Sequence, residues 1–217
     1  MANKLVINYK AYAEGIDKGI EIAHAAKEAA VLYGVEVVVA APFTLCRETS
    51  RITSTIAQSI DPIEPGAFTG RVGGYEIRNA GCSGALINHA ENRKSEEEIA
   101  ACVASCKKNT LESYVCVGGL GEAARAIALG PSAVAYEPRE LIGSGRSVSM
   151  ARPELVGDFA SMIKKGSDTI ALAGAGISRA EDIETCVRLG CSGVLVSSAV
   201  MKGDFHRIIR EFAEALS

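Results

Sequence analysis

The chain has 217 residues, of which 48% are hydrophobic and 23% charged, and its formal net charge is −3. This composition is typical of globular proteins and excludes the disordered and fibrous classes. Nucleic-acid binders show clustered positive charge, so the mild acidity predicts no nucleic-acid partner. No apolar segment reaches the roughly 18 residues that a membrane span needs, and the first residues lack the features of a signal peptide. We therefore expect a cytoplasmic protein with no membrane segment.

The seven cysteines lack the paired spacing of a zinc site or a disulfide framework. Only Cys102 and Cys106 are close together, and they fall within a helical pattern. In a reducing cytosol we expect the cysteines to pack as small hydrophobic residues.

Short apolar segments alternate with longer amphipathic segments along the whole chain. Continuously apolar segments are typical of parallel strands that are buried on both faces. The predicted strands are Leu5–Asn8, Val35–Ala40, Ser54–Gln58, Gly84–Asn88, Ser113–Val117, Ala133–Tyr136, Thr169–Ala173 and Gly193–Val196. The predicted helices are Ile16–Tyr33, Thr44–Thr49, Tyr75–Asn79, Ser95–Lys108, Leu120–Ala128, Arg152–Lys164, Arg179–Leu189 and Asp204–Leu216.

Two helix starts have the spacing of a capping box, in which a Ser side chain and a Glu three residues later bind free backbone N–H groups. They are Ser95 with Glu98, and Ser178 with Glu181. Gly34 follows a helical segment, where glycine most easily takes the left-handed conformation that ends a helix.

The strand–helix unit repeats eight times, with no linker and no change in composition. Eight parallel units can close into a (β/α)8 barrel, which leaves no sheet edge. An open doubly wound sheet is the competing arrangement, and the count of eight favours the barrel. We expect a single barrel domain over residues 1–217, with its site at the C-terminal ends of the strands.

Polar residues follow the first and fourth predicted strands. Asn8 ends the first strand and Lys10 follows it, where Lys10 could bind an anion or be an ordinary surface lysine. His89 follows the fourth, where an imidazole could donate to a carbonyl oxygen and move protons, or could simply cap the loop. The other two histidines, His24 and His206, fall in helical patterns.

Glu137 directly follows the sixth strand, and a carboxylate at the end of an apolar strand needs a role or a partner. The next residues begin with Pro138 and include Gly143 and Gly145, a combination that suits a lid over a substrate. Glu140 has no comparable position and is expected at the surface.

The seventh and eighth strands are followed by turns of small residues, 174–178 and 197–199. Backbone N–H groups in such turns can bind an anion, and in barrels these two loops are the usual phosphate site. No lysine–threonine pair of the nucleotide-binding type follows either turn.

Together these segments resemble the triosephosphate isomerase family in its short archaeal form, from end to end. The family's Asn-x-Lys, His-Ser-Glu-Arg-Arg and Glu-Pro…Ile-Gly-Thr-Gly motifs are similar to Asn8-x-Lys10, His89-Ala90-Glu91-Asn92-Arg93 and Glu137-Pro138…Ile142-Gly143-Ser144-Gly145. The chain departs from the family's pattern at Ala90 and Asn92. It differs from the long form in the lid, at Arg139-Glu140-Leu141, and in the phosphate loops, at Gly174-Ala175-Gly176 and Ser197-Ser198, and these changes match the short form. It also has Cys116-Val117-Gly118-Gly119 where the family has Cys-Ile-Gly-Glu, so we expect Lys10 to have another anionic partner or none.

The resemblance implies interconversion of dihydroxyacetone phosphate and D-glyceraldehyde 3-phosphate, in glycolysis and gluconeogenesis. Glu137 would be the base, neutral His89 would polarise the carbonyl, and Asn8 and Lys10 would stabilise the enediolate. Glu91 would support the site or form a salt bridge. The substrate phosphate would be bound by Asn8, Lys10, Ile142, Gly143, Gly176, Ser197 and Ser198. No metal or organic cofactor is implied.

Family members are dimers or tetramers in which the loop after the third strand reaches a neighbouring site. In this chain that loop includes residues 65–70, so Phe68 and Thr69 are the interface candidates, unless Phe68 folds back into its own core. Three other functions remain open: a metal-dependent sugar-phosphate epimerase, a non-catalytic sugar-phosphate sensor and a purely structural barrel. The epimerase needs more than one histidine at strand ends, the sensor could dispense with Glu137 or His89, and a structural barrel needs no lid.

Overall fold

The computed structural model describes residues 3–138, 141, 147–165 and 168–217. The strands are β1 (Lys4–Asn8), β2 (Glu36–Ala41), β3 (Ser54–Ala57), β4 (Gly84–Ile87), β5 (Glu112–Val117), β6 (Ala133–Tyr136), β7 (Ile170–Ala173) and β8 (Gly193–Val196). The helices are α1 (Ala13–Asp17), α2 (Gly19–Tyr33), α3 (Phe43–Thr49), α4 (Gly74–Asn79), α5 (Glu96–Lys108), α6 (Leu120–Ala128), α7 (Val148–Ala151), α8 (Pro153–Lys164), α9 (Ala180–Arg188), α10 (Ser198–Lys202) and α11 (Phe205–Glu214). Every predicted strand is present, with each end within one residue of its predicted position.

The strands form one closed barrel in sequence order, and every neighbouring pair is parallel. Closure is made by β1, in which Ile7 is in register with Val39 of β2 on one side and with Val196 of β8 on the other. The (β/α)8 barrel is therefore confirmed, and the open doubly wound sheet is wrong for this chain.

Alternate strand residues belong to two separate hydrophobic cores. Leu5 and Ile7 of β1 face the helices, where they join a core that includes Phe159 and Phe212. Val6 faces the barrel axis instead. The core inside the barrel consists of Val6, Val38, Ala40, Ile56, Leu86, Tyr114, Cys116, Ala133, Ala135, Leu172 and Leu195. The barrel is filled by side chains and is not a pore, so a substrate can enter only at its ends.

The predicted helix over Ile16–Tyr33 is wrong in part, because Lys18 separates α1 from α2 with φ −113° and ψ 11°. The Tyr9 hydroxyl donates to the Gly19 carbonyl at 2.8 Å. A Cβ on Gly19 would lie only 2.7 Å from Leu45 Cδ1. Close packing at Gly19 therefore accompanies the break, which helical periodicity did not predict.

The helix caps agree with prediction in one case and differ in the other. Ser95 Oγ accepts from the Glu98 N–H at 3.2 Å, and the Glu98 carboxylate accepts from the Ser95 N–H at 2.7 Å. At α9 the predicted Ser178–Glu181 box is wrong. Asp182 accepts from the N–H groups of both Ser178 and Arg179, so the helix begins one residue later than expected. Gly34 ends α2 with φ 68°, as predicted.

Within the described ranges, no helix is long and apolar enough to cross a membrane. All seven cysteines are free and buried, as expected. His24 and His206 are exposed on α2 and α11.

Candidate active site

The barrel interior ends in buried polar side chains at the C-terminal ends of the strands. Asn8, His89 and Glu137 are only 4%, 6% and 6% exposed there. The predicted residues Asn8, Lys10, His89, Glu137, Gly176, Ser197 and Ser198 all line one cavity, together with Ala175, Ile177, Leu195 and Val196. Ile177, Leu195 and Val196 are themselves buried and give the cavity an apolar wall. Ile142 and Gly143 lie outside the described residues, as does most of the predicted lid.

Glu137 lies opposite a glycine that directly follows the neighbouring strand, β7. Tyr136 is in register with Ala173, so Glu137 comes opposite Gly174. A Cβ on Gly174 would lie 2.5 Å from Glu137 Cγ, so only glycine leaves room for the carboxylate. Among the described residues, Glu137 Oε2 is buried without a hydrogen-bond partner. A buried carboxylate oxygen without a partner is destabilising and marks a functional group.

Cys116 lies beside Glu137 inside the barrel. Burial, and then the negative charge of Glu137, raise the pKa of the Cys116 thiol well above its usual value. The thiol therefore stays protonated at neutral pH and cannot act as a nucleophile. Of this pair, Glu137 is the candidate for proton transfer.

The residue before His89 has a left-handed backbone conformation, which places His89 at the mouth of the barrel. Asn88 has φ 63°, a conformation that Asn tolerates better than most residues. The Asn88 side chain fixes the turn by donating to the Cys116 carbonyl at 2.9 Å and accepting from the Lys94 N–H at 3.0 Å. Asn88 is predicted only as the last residue of the fourth strand, although an Asn at a strand end is a known signal for such a turn.

A hydrogen bond to the His89 imidazole indicates which ring nitrogen carries the proton. The Glu91 N–H donates to His89 Nδ1 at 3.3 Å. With Nδ1 as acceptor, a neutral ring carries its proton on Nε2. His89 Nε2 lies 3.7 Å from Glu137 Oε2. The carboxylate and the imidazole donor therefore face the same part of the cavity, where one can reach an acidic carbon and the other the neighbouring carbonyl oxygen of a bound ligand.

A buried network orients Asn8. Asn8 Oδ1 accepts from the Lys10 N–H at 2.9 Å and from Gln58 Nε2 at 3.2 Å. Gln58 Nε2 also donates to the Lys10 and Ala40 carbonyls. Because Asn8 Oδ1 is occupied, its NH2 group is the end that can face a ligand. Gln58 was missed, although a polar residue after an apolar strand is the same signal that identified Glu137.

Lys10 is not an ordinary surface lysine. Its backbone has φ 50°, and its side chain is only 17% exposed. Lys10 Nζ lies 2.7 Å from Glu91 Oε1, which answers the question of its anionic partner. Glu91 thus forms the salt bridge that was one of its two expected roles.

Another glutamate follows Gly119, the residue that stands where the family has the glutamate of Cys-Ile-Gly-Glu, but it does not contact Lys10 in the hydrogen bonds of the described residues. Glu122 of α6 accepts from Arg93 at 2.9 Å and from the Gly118 N–H at 2.8 Å. It therefore ties the segment after His89 to the loop after β5. Its position inside a helix gave no signal in the sequence.

A second hollow of about 340 Å³ adjoins the cavity. It is lined by Asn8, Lys10, Ala11, Phe43, Gln58, Ser59, His89, Glu91 and Asn92. Phe68 is 51% exposed and Thr69 is also exposed, so Phe68 is not folded back into its own core.

Within the described ranges, no three His, Cys, Asp or Glu side chains form a group that could hold a metal ion.

Comparison with known proteins identifies the family. Residues 3–212 match the model of the family described as "Triosephosphate isomerase". The chain is 40% identical to the triosephosphate isomerase of Caldivirga maquilingensis, with 98% of this chain and 96% of that protein covered. It is also 40% identical to the enzyme of Methanocaldococcus jannaschii, with 95% and 97% covered. The crystal structure of the Bartonella henselae enzyme has the same fold, with a TM-score of 0.77, 18% identity and 99% of both chains covered. The chain therefore belongs to the triosephosphate isomerase family.

Proposed function

We propose that this chain, an isomerase by its family, interconverts dihydroxyacetone phosphate and D-glyceraldehyde 3-phosphate with Glu137 as the base. The observation that carries the proposal is the buried Glu137 Oε2, unpartnered among the described residues and 3.7 Å from His89 Nε2. Glu137 takes a proton from the carbon next to the carbonyl and returns it to the neighbouring carbon.

His89 donates from Nε2 to the substrate carbonyl oxygen and moves protons between the two oxygens. This role is supported by the Glu91 N–H on Nδ1, which favours the neutral tautomer with its proton on Nε2. A neutral donor suits a reaction in which the oxygen becomes strongly basic only in the enediolate.

The NH2 group of Asn8 and the ammonium group of Lys10 stabilise the negative charge of the enediolate. Both are preoriented, Asn8 by Gln58 and Lys10 by Glu91. Preoriented donors in a site that excludes water stabilise developing charge more strongly than water does.

The phosphate group lies against the loops after β7 and β8. The backbone N–H groups of Gly176, Ser197 and Ser198 bind it there, and Ala175 and Gly176 hold their turn with φ 69° and 71°. Ile142 and Gly143 complete the phosphate site by family resemblance. Closure of a lid there would keep water from the enediolate and prevent loss of phosphate.

The chain works as a homo-oligomer, a dimer or a tetramer, in the cytoplasm, in glycolysis and gluconeogenesis. Phe68 and Thr69 of one copy contact the hollow beside Asn8 and Lys10 of another. Two observations support this contact: the exposure of Phe68 and the second exposed ring of Phe43, at 44%, which lines that hollow. Aromatic residues are enriched at interfaces.

The test is conversion of D-glyceraldehyde 3-phosphate to dihydroxyacetone phosphate in a coupled assay with excess chelator. We expect rapid conversion that is unaffected by the chelator. Conversion that the chelator abolishes would show that the isomerisation depends on a metal ion and would contradict the proposed mechanism. Absence of conversion, with phosphate still raising the melting temperature, would make the chain a sugar-phosphate sensor.

A further inference from the structure

A cavity of about 350 Å³ lies between α5 and α6, on the outside of the barrel. None of its described lining residues lines the cavity at the mouth or the hollow beside it, so it is separate from the proposed active site. Protein interiors are close-packed, and a space of this size is within the range of small-molecule sites. The proposed reaction makes no use of this cavity.

The two helices that flank the cavity are joined by polar bridges. In the described part of the chain, α5 packs on α4, β4 and β5, whereas α6 packs on α8, β5 and β6. Arg125 Nε of α6 lies 2.8 Å from Glu96 Oε1 of α5, and Lys107 Nζ of α5 donates to the Leu129 carbonyl at 2.7 Å. Between these bridges α6 presents the small side chain of Ala126, which leaves the space open.

The walls of the cavity are apolar. Val115 and Val117 of β5 face the helices and are buried at its floor. Ala126 of α6 is also buried, and Ile99 of α5 and Leu129 after α6 are half-buried against the same core. Such walls stabilise the apolar part of a ligand by removing it from water.

The polar groups of the cavity favour an anion. Its described lining includes three cations and two carboxylates, which are Arg93, Lys94, Arg125, Glu96 and Glu122. Arg93 donates to Glu122 at 2.9 Å and to the Asn88 carbonyl at 3.5 Å. A guanidinium group has five N–H donors, so Arg93 retains donors that can bind a carboxylate through two parallel hydrogen bonds.

We propose that this cavity binds a small carboxylate with an apolar body, its charge on Arg93 and its body against Val117 and Ala126. The inference goes beyond the proposed function and does not depend on it. Arg93 and Asn88 belong to the segment that carries His89, so the bound molecule lies beside the turn that places the imidazole.

The test is isothermal titration of the whole chain with 4-phenylbutyrate, which joins a carboxylate to an apolar ring. We expect one molecule to bind per chain. The uncharged alcohol 4-phenylbutanol has the same apolar body, and its dissociation constant should be about tenfold higher, because it lacks the charge-assisted hydrogen bonds. No binding of the carboxylate would overturn the inference, as would equally tight binding of the alcohol.

Two variants locate the bound molecule. Ala126→Leu and Ile99→Phe fill the cavity from opposite helices, so each should raise the dissociation constant by about tenfold or more. Filling a cavity commonly stabilises a fold, and the melting temperature without ligand shows that each variant is folded.

Ala124→Leu is the matched control, because it makes the same change at an exposed position of α6 outside the cavity. It should leave the dissociation constant for 4-phenylbutyrate unchanged. The inference is overturned if the two folded cavity variants bind as tightly as the parent chain, or if Ala124→Leu weakens binding as much as Ala126→Leu does.

Discussion

The two ends of the barrel interior are both polar, but they differ in how their polar groups are satisfied. At the N-terminal end, Lys4 is only 2% exposed, and its Nζ lies 3.1 Å from Glu36, 3.3 Å from Glu112 and 2.8 Å from the Tyr114 hydroxyl. The Tyr114 hydroxyl also donates to Glu112. The buried cation thus has several partners, and this end of the barrel is closed.

The C-terminal mouth has the opposite character. Glu137 Oε2 is unpartnered there among the described residues. Of the four described non-glycine residues with positive φ, three are at the mouth: Lys10, Asn88 and Ala175. Backbone strain and unpaired polar atoms reduce stability, and they persist where they serve function. The paired groups at the N-terminal end therefore stabilise the fold, and the unpaired groups at the C-terminal mouth are the ones available for chemistry.

The largest expected effect is that of Glu137→Asp. The shorter side chain withdraws the base by roughly 1 Å, so kcat should fall by about 10³-fold while phosphate binding is kept. Steady-state kinetics and phosphate titration measure the two quantities. The same shortening at the closed N-terminal end of the barrel, Glu112→Asp, should lower the free energy of unfolding and leave kcat unchanged. Unchanged turnover in Glu137→Asp would remove Glu137 from the mechanism.

Lys10→Met should damage both substrate binding and turnover, because it removes a preoriented charge next to the proposed enediolate. We expect kcat/KM to fall by about 10²-fold. Steady-state kinetics over a range of substrate concentrations separates the effects on KM and kcat. Normal kinetic constants would make Lys10 a surface charge in spite of its ion pair with Glu91.

Lys4→Met is the counterpart of that substitution at the closed end. It leaves two carboxylates and a tyrosine hydroxyl without their shared cation. The free energy of unfolding should fall by about 3 kcal/mol, the lower end for a broken buried ion pair, because Glu36 and Glu112 remain partly exposed. Urea denaturation measures this loss, and kcat of the folded fraction should be unchanged. A fall in kcat without a loss of stability would contradict the division between the two ends.

Local patterns predicted much of the mouth and little of the closed end. Strand positions followed from continuous apolar segments, and Glu137 and His89 were found as polar residues at the ends of such segments. The contacts that orient them were not predictable, because Gln58 meets Asn8 and Lys10 meets Glu91 only when distant strands come together. Short helices such as α7 and α10 were missed because four or five residues are too few for a helical period.

Gly174→Ala tests whether the position of the base depends on a missing side chain. The new Cβ would overlap Glu137 Cγ, so the carboxylate must move and kcat should fall by about tenfold. Steady-state kinetics measures the loss. Gly157→Ala in α8 is the control, because its Cβ would meet nothing within 4 Å and alanine favours a helix. Equal kcat in the two variants would show that Glu137 does not need the space above Gly174.

The smallest expected effect is that of replacing Asp61, a carboxylate that accepts hydrogen bonds from two neighbours. It accepts from the Val72 N–H at 2.8 Å and from Arg71 at 3.0 Å, and so closes the base of the loop that carries Phe68. Burial alone would raise the pKa of Asp61, but these hydrogen bonds lower the pKa below its usual value.

A lowered pKa in the folded chain stabilises it above the pKa of the unfolded chain, about 4, and the stabilisation is lost as pH falls through the folded value. Because Arg71 is 65% exposed, Asp61→Asn should destabilise the chain by less than about 1 kcal/mol at pH 7. The difference from the parent chain should shrink as the pH falls below about 4, as urea denaturation at several pH values would show. A difference that stays constant over this range would mean that the carboxylate charge does not hold the loop, in contrast to the charged cluster around Lys4.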